Sequence, residues 1–134
     1  MTRETGFSPV DRQTIIRRSY GQCERCNDRP AAHIHHRKPR RMGGRRGGSF
    51  ADVNRPSNGL ALCYECHQWA ETGNRRAAQN FGLVLAEHED PARTPVFLPR
   101  YRGWVLLDDL GEVHWEQDER RARESGQTPT NEQE

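Results

Sequence analysis

No apolar run in this sequence approaches the roughly 20 residues that a membrane-spanning helix needs. The polar N-terminus also lacks the apolar core of a signal peptide. Both absences lead us to expect a cytoplasmic protein with no membrane partner. Hydrophobic residues are scarce as well, at 32% of 134 residues, with 7% aromatic and 30% charged. A chain of this length and composition has room for one modest core, and a core that small usually needs a staple. Cysteine is limited to four residues, which leaves little choice about what that staple would be.

The four cysteines form two Cys-x-x-Cys pairs, Cys23 with Cys26 and Cys63 with Cys66. Without a secretory signal, that pattern favours a metal in a reducing compartment over disulfides. Two such knuckles make the usual tetrahedral thiolate set of a structural zinc ion. The spacer between the pairs, residues 27–62, is 36 residues long. A compact zinc ribbon has only about 15–20 there, so something substantial is inserted. The insertion contains His33, His35, His36 and Asn58, and His67 follows the last cysteine directly.

The net charge of +2 hides an asymmetry. Residues 1–60 carry 13 Lys/Arg and 5 Asp/Glu, or +8, and residues 61–134 carry 8 and 14, or −6. The cysteine- and histidine-bearing half is the basic one, as expected of a surface that faces phosphates.

Ser8-Pro9 reads as a helix start, with the helix running to about Tyr20 and Gly21 as its left-handed stop. Ala31–His36 reads as a short strand. The stretch from Arg37 to Gly48 is basic and holds four glycines, which suits a loop whose backbone approaches a ligand. Gly59–Cys63 is the expected return strand. A helix is expected from Tyr64 to about Thr72, ended by Gly73, and a further short one capped by Asn74. Gly103–Leu107 and Glu112–Trp115 read as a hairpin. The polar, charged residues from 118 to 134 read as a disordered tail.

Cys-x-x-Cys, His35-His36, Gly43-Gly44 and Asn58-x-Leu60-x-Leu62-Cys63-x-x-Cys66-His67, in that order and spacing, resemble the HNH endonuclease family. The resemblance spans about residues 20–72 and is strongest to the small zinc-knuckled HNH proteins of bacteriophages, particularly those of actinobacterial hosts. It implies an α+β chain with a small ββα-metal fold stapled by the four-cysteine zinc site, flanked by an N-terminal helix and a C-terminal β-hairpin. The organisation expected is a nuclease core over 1–82, an extension packing on it over 83–117, and the tail. Carried over by position, His36 matches the general base, and His35 and His67 match ligands of a catalytic divalent ion. Asn58 matches the central Asn, which steadies the loop and the base. The residues themselves leave a rival open, because adjacent side chains of a strand diverge. His33 and His35 would then be the metal pair, with His36 structural. Asn54 competes with Asn58, although turn chemistry accounts for it.

The chemistry suits these residue types. Phosphodiester hydrolysis needs a water deprotonated near neutral pH, which an imidazole can do. It also needs positive charge at the phosphate and at the leaving oxygen, which a divalent ion with open positions supplies. That ion is expected to be Mg²⁺ or Mn²⁺, with Ni²⁺ and Zn²⁺ as alternatives. Arg37, Lys38, Arg40, Arg41, Arg45 and Arg46 are the candidate DNA phosphate contacts. The expected function is therefore a DNA endonuclease, nicking or cutting both strands. By resemblance it would serve phage DNA packaging in the host cytoplasm, with terminase subunits as partners. The alternative is a non-catalytic zinc module that binds nucleic acid.

Overall fold

The computed structural model describes residues 6–39 and 53–125. Helix α1 (Pro9–Ser19) starts where capping chemistry places it. Ser8 Oγ accepts from the Asp11 N–H at 3.1 Å, and Pro9 occupies the first helical position. The helix stops at two left-handed residues, Tyr20 at φ 59° and Gly21 at φ 77°.

The chain then turns through the first cysteine pair into β1 (His33–His36), which pairs antiparallel with β2 (Gly59–Leu62). Their register sets His33 against Leu62 and His36 against Gly59. A 3₁₀ turn, Pro56–Asn58, leads into β2, and Cys63 then caps α2 (Tyr64–Gln68). The expected single helix to Thr72 instead widens into a π turn, Trp69–Gly73, before Asn74 caps α3 (Arg75–Asn80). The remainder forms a second antiparallel sheet of β3 (Val96–Leu98), β4 (Gly103–Leu107) and β5 (Val113–Trp115), in that order.

The fold class is α+β with two small sheets. The expected hairpin is β4–β5, and β3 is a further strand beside it. Residues 118–125 correct the expectation of a disordered tail, because they continue α4 (Glu116–Ser125). That helix is held by Glu116–Arg120 and Asp118–Arg121 pairs along its own surface, at 3.0 and 3.5 Å, and by packing on β4 and β5. Among the described residues, no helix is long and apolar enough to cross a membrane.

One core joins the two sheets. Cys23, Leu60, Leu62, Cys63 and Cys66 pack with Leu83, Val96, Leu98, Val105 and Leu107. Residues 83–117 therefore supply six of the thirteen buried residues of that core. A smaller cluster of Phe7, Ile15 and Ala61 seats α1 on β2. There Gly59 leaves no room for a side chain, since a Cβ would lie 2.6 Å from Ile15 Cδ1 and 2.9 Å from Phe7 Cζ.

Two buried arginines tie these parts together. Arg18, near the end of α1, makes a bidentate pair with Glu24 in the first knuckle, at 2.6 and 2.7 Å. It also donates to the carbonyls of Pro56 and Gly59, while Glu24 accepts from the Ala61 N–H. Arg37 is 0% exposed and donates to the carbonyls of Gly82, Ser57, Pro91 and Thr94. Burial pushes its guanidinium down to about 9, still protonated at neutral pH. Arg37 is therefore not a DNA contact. Its donors are spent inside the protein, and it holds the end of β1 to the segment after α3.

Breaking a buried ion pair from one side leaves a charge uncompensated, so Glu24→Leu should cost about 3–5 kcal/mol of stability in urea unfolding. The double variant Arg18→Met/Glu24→Leu should recover much of that loss, because no lone charge remains.

Candidate functional site

The four cysteines come together. Their Sγ atoms all lie within 4.8 Å of one another, and Cys26 and Cys63 are 3.9 Å apart. All four are free thiols. The first knuckle is shaped by Asn27, at φ 56°, whose N–H donates back to the Cys23 carbonyl at 2.9 Å. Backbone N–H groups point at sulfur, from Cys26 to Cys23 Sγ and from Asp28 to Cys26 Sγ, each at 3.4 Å. Arg25 lies over the Trp69 ring at 3.7 Å and donates to Cys66 Sγ at 3.4 Å.

Against the cost of burial, such backbone donors bring the Cys23 thiol down to about 7. Burial and the neighbouring sulfurs push Cys66 up to about 12. Four crowded sulfurs, surrounded by N–H and guanidinium donors that favour thiolate, fit a tetrahedral zinc.

A second cluster begins at the residue after Cys66. His35 is 1% exposed. Its Nε2 lies 2.8 Å from the Leu83 carbonyl, which can only accept, so Nε2 carries the ring proton. The lone pair is then on Nδ1, which is buried, has no hydrogen-bond partner and faces Glu71 Oε2 at 3.3 Å. His67 Nε2 is 3.6 Å from the same carboxylate oxygen. Burial, with the His35 and His33 rings beside it, holds His67 below the usual histidine range. Two imidazoles and a carboxylate converge, with their donor atoms within 4.8 Å of one another. That set suits a divalent cation.

Sequence reasoning misses Glu71. Its signal is nonetheless present, four residues after His67 and so on the same helical face.

His36 closes β1. The pleat would turn it away from His35, yet both line one cleft of about 530 Å³, together with His67 and Glu71. The His36 ring stacks on Phe7, with centroids 4.3 Å apart and 18° between planes. Its Nε2 bonds Asn54 Oδ1 at 2.8 Å, and since that oxygen accepts, Nε2 carries a proton. Turn chemistry therefore does not exhaust the role of Asn54.

Asn58 is fully buried and clamps backbone. Its Oδ1 accepts from the Lys38 N–H, and its Nδ2 donates to the Lys38 and Val53 carbonyls. It joins the two ends of the intervening segment and touches neither cluster. The His33 ring lies tilted against His67, with centroids 4.9 Å apart and 31° between planes, and is not one of the converging donors. Lys38 is 6% exposed, too little for the open phosphate contact expected of it. Arg40, Arg41, Arg45 and Arg46 lie outside the described residues.

Compared with family models, with curated proteins and with solved structures, the chain gives no significant match.

Metal on four cysteines has to displace their protons, so lowering the pH should weaken it. Competition with a chromogenic chelator should show tighter zinc binding at pH 8 than at pH 6. Cobalt loading should give the tetrahedral thiolate spectrum, and Cys66→Ser should lose part of its charge-transfer intensity. A pH-independent affinity would exclude thiolate ligation.

Proposed function

We propose that this chain is a metal-dependent HNH endonuclease domain that hydrolyses DNA phosphodiester bonds. In this reading a structural zinc sits on Cys23, Cys26, Cys63 and Cys66, and a second divalent ion sits on His35, His67 and Glu71. The observation that carries the reading is the His35 ring. One nitrogen is committed to a backbone carbonyl, and the other is buried, unpartnered and aimed at a carboxylate and an imidazole. A buried acceptor facing an anion is costly unless a cation lies between them. The order of elements agrees with the ββα-metal arrangement, since two antiparallel strands lead directly into the helix that carries His67.

His36 is the general base of this scheme. Phe7 holds the ring by stacking and Asn54 holds its Nε2 edge, so the imidazole is positioned to take the proton of an attacking water. As the oxygen–phosphorus bond forms, the bond to the 3′ oxygen breaks and that oxygen takes a proton from solvent water, leaving a 5′-phosphate and a 3′-hydroxyl. A divalent ion on His35, His67 and Glu71 supplies positive charge to the phosphate and to the departing oxygen. Mg²⁺ or Mn²⁺ suits the carboxylate, and Ni²⁺ or Zn²⁺ suits the imidazoles. Work beside a phage terminase, in the host cytoplasm, is the setting that the resemblance implies.

Supercoiled plasmid should be nicked by the zinc-loaded protein with added Mg²⁺ or Mn²⁺. His36→Ala should lower the rate by about 10²–10⁴-fold while leaving DNA affinity unchanged. Glu71→Ala should raise the metal concentration needed. Asn54→Leu should slow cleavage, and ¹⁵N shifts of His36 should show a mixture of tautomers in place of one. Full activity in His36→Ala would remove it as the base. DNA binding without cleavage under every metal would favour the zinc-containing binding module.

A further inference from the structure

The cleft that holds the second cluster also holds two cations from outside the basic segment 37–46. Arg12 comes from α1 and Arg75 is the first residue of α3, and both line the same cleft as His35, His36, His67 and Glu71. Both residues are exposed. Many arginines of this fold are committed to carboxylates. Arg18 pairs with Glu24, Arg29 with Glu65, Arg55 with Asp90 and Asp109, and Arg120 with Glu116. Among the described residues, neither Arg12 nor Arg75 makes such a pair.

We infer that Arg12 and Arg75 bind the phosphodiester backbone of the nucleic acid that occupies this cleft. The inference rests on the nuclease reading and names the residues that hold its substrate. A phosphodiester entering the cleft meets Arg12 and Arg75 on the same walls that carry His35, His67 and Glu71. Two guanidiniums opening onto that space attract its negative charge. Their planar donor forks match the non-bridging oxygens of a phosphate. Such contacts fix register and affinity without reading sequence.

The test is binding of a fluorescent duplex to zinc-loaded His36→Ala protein, measured by anisotropy over a range of salt concentrations. Arg12→Gln and Arg75→Gln are each added to that background, and then both together. Each phosphate contact removed should make the slope of log affinity against log salt shallower by about 1, and the double variant by about 2. Arg121→Gln on α4, far out on the surface at 67% side-chain exposure, should leave the slope unchanged. Zinc content and circular dichroism establish that each variant is folded. An unchanged slope in the double variant, with the wild type still nicking plasmid, overturns the arginine assignment and leaves the nuclease reading standing. A wild type that neither binds nor cuts overturns both.

Discussion

The buried Arg37 guanidinium is the constraint on which the rest of this small fold depends. It meets four carbonyls, from Gly82, Ser57, Pro91 and Thr94, which lie 20 to 57 residues from it in sequence. Its own backbone is bonded on both sides, with the N–H donating to Asn58 and the carbonyl accepting from Leu85. A charge this deep is tolerated because every direction it faces ends in an oxygen. The result is a rivet placed one residue after His36. It fixes the end of β1, the turn before β2 and the irregular segment after α3. Side chains on β1 therefore face the cleft with little freedom to slide.

The two donor clusters are neighbours for a covalent reason. Cys66 and His67 are consecutive residues of α2, so one turn of helix presents a sulfur to one cluster and an imidazole to the other. Arg25 extends the link, since it touches both Cys66 Sγ and the ring of Trp69 at the start of the π turn that carries Glu71. Whatever orders the sulfurs also orders two of the three donors in the cleft. The third, His35, is set independently by the register of β1 against β2 and by the Leu83 carbonyl.

Much of this is legible in the sequence wherever spacing alone determines geometry. The knuckles, the capped start of α1, the strand pair and the hairpin all follow from local chemistry. The convergence of His35 with His67 is implied only by the family resemblance, since the residues themselves leave His33 open as the partner of His35. The misses share a cause: they depend on what lies across the fold. Arg37 sits in a run of basic residues and reads as a surface charge, and nothing local reveals the carbonyls that bury it. Asn54 reads as a turn residue because its partner, His36, lies 18 positions away. Nothing in the sequence marks Arg18 and Glu24 as a pair, since only the tertiary fold brings them together. Glu71 is the avoidable omission, being one helical turn from a histidine that the motif itself singles out.

Gly59 shows how far this packing reaches. It touches no donor cluster, yet it sets the distance at which α1 lies on β2, with Ile15 and Phe7 resting against the bare backbone. Phe7 is also the ring on which His36 is stacked. A methyl group at position 59 would press on the ends of the Ile15 and Phe7 side chains, the second of which carries the His36 stack. In the natural variation of such chains, position 59 should stay glycine as strictly as any residue that touches a ligand, and a conservation profile would mark it as functional. Its invariance would record a thickness, the one-atom tolerance between a helix and a strand, rather than a chemical task.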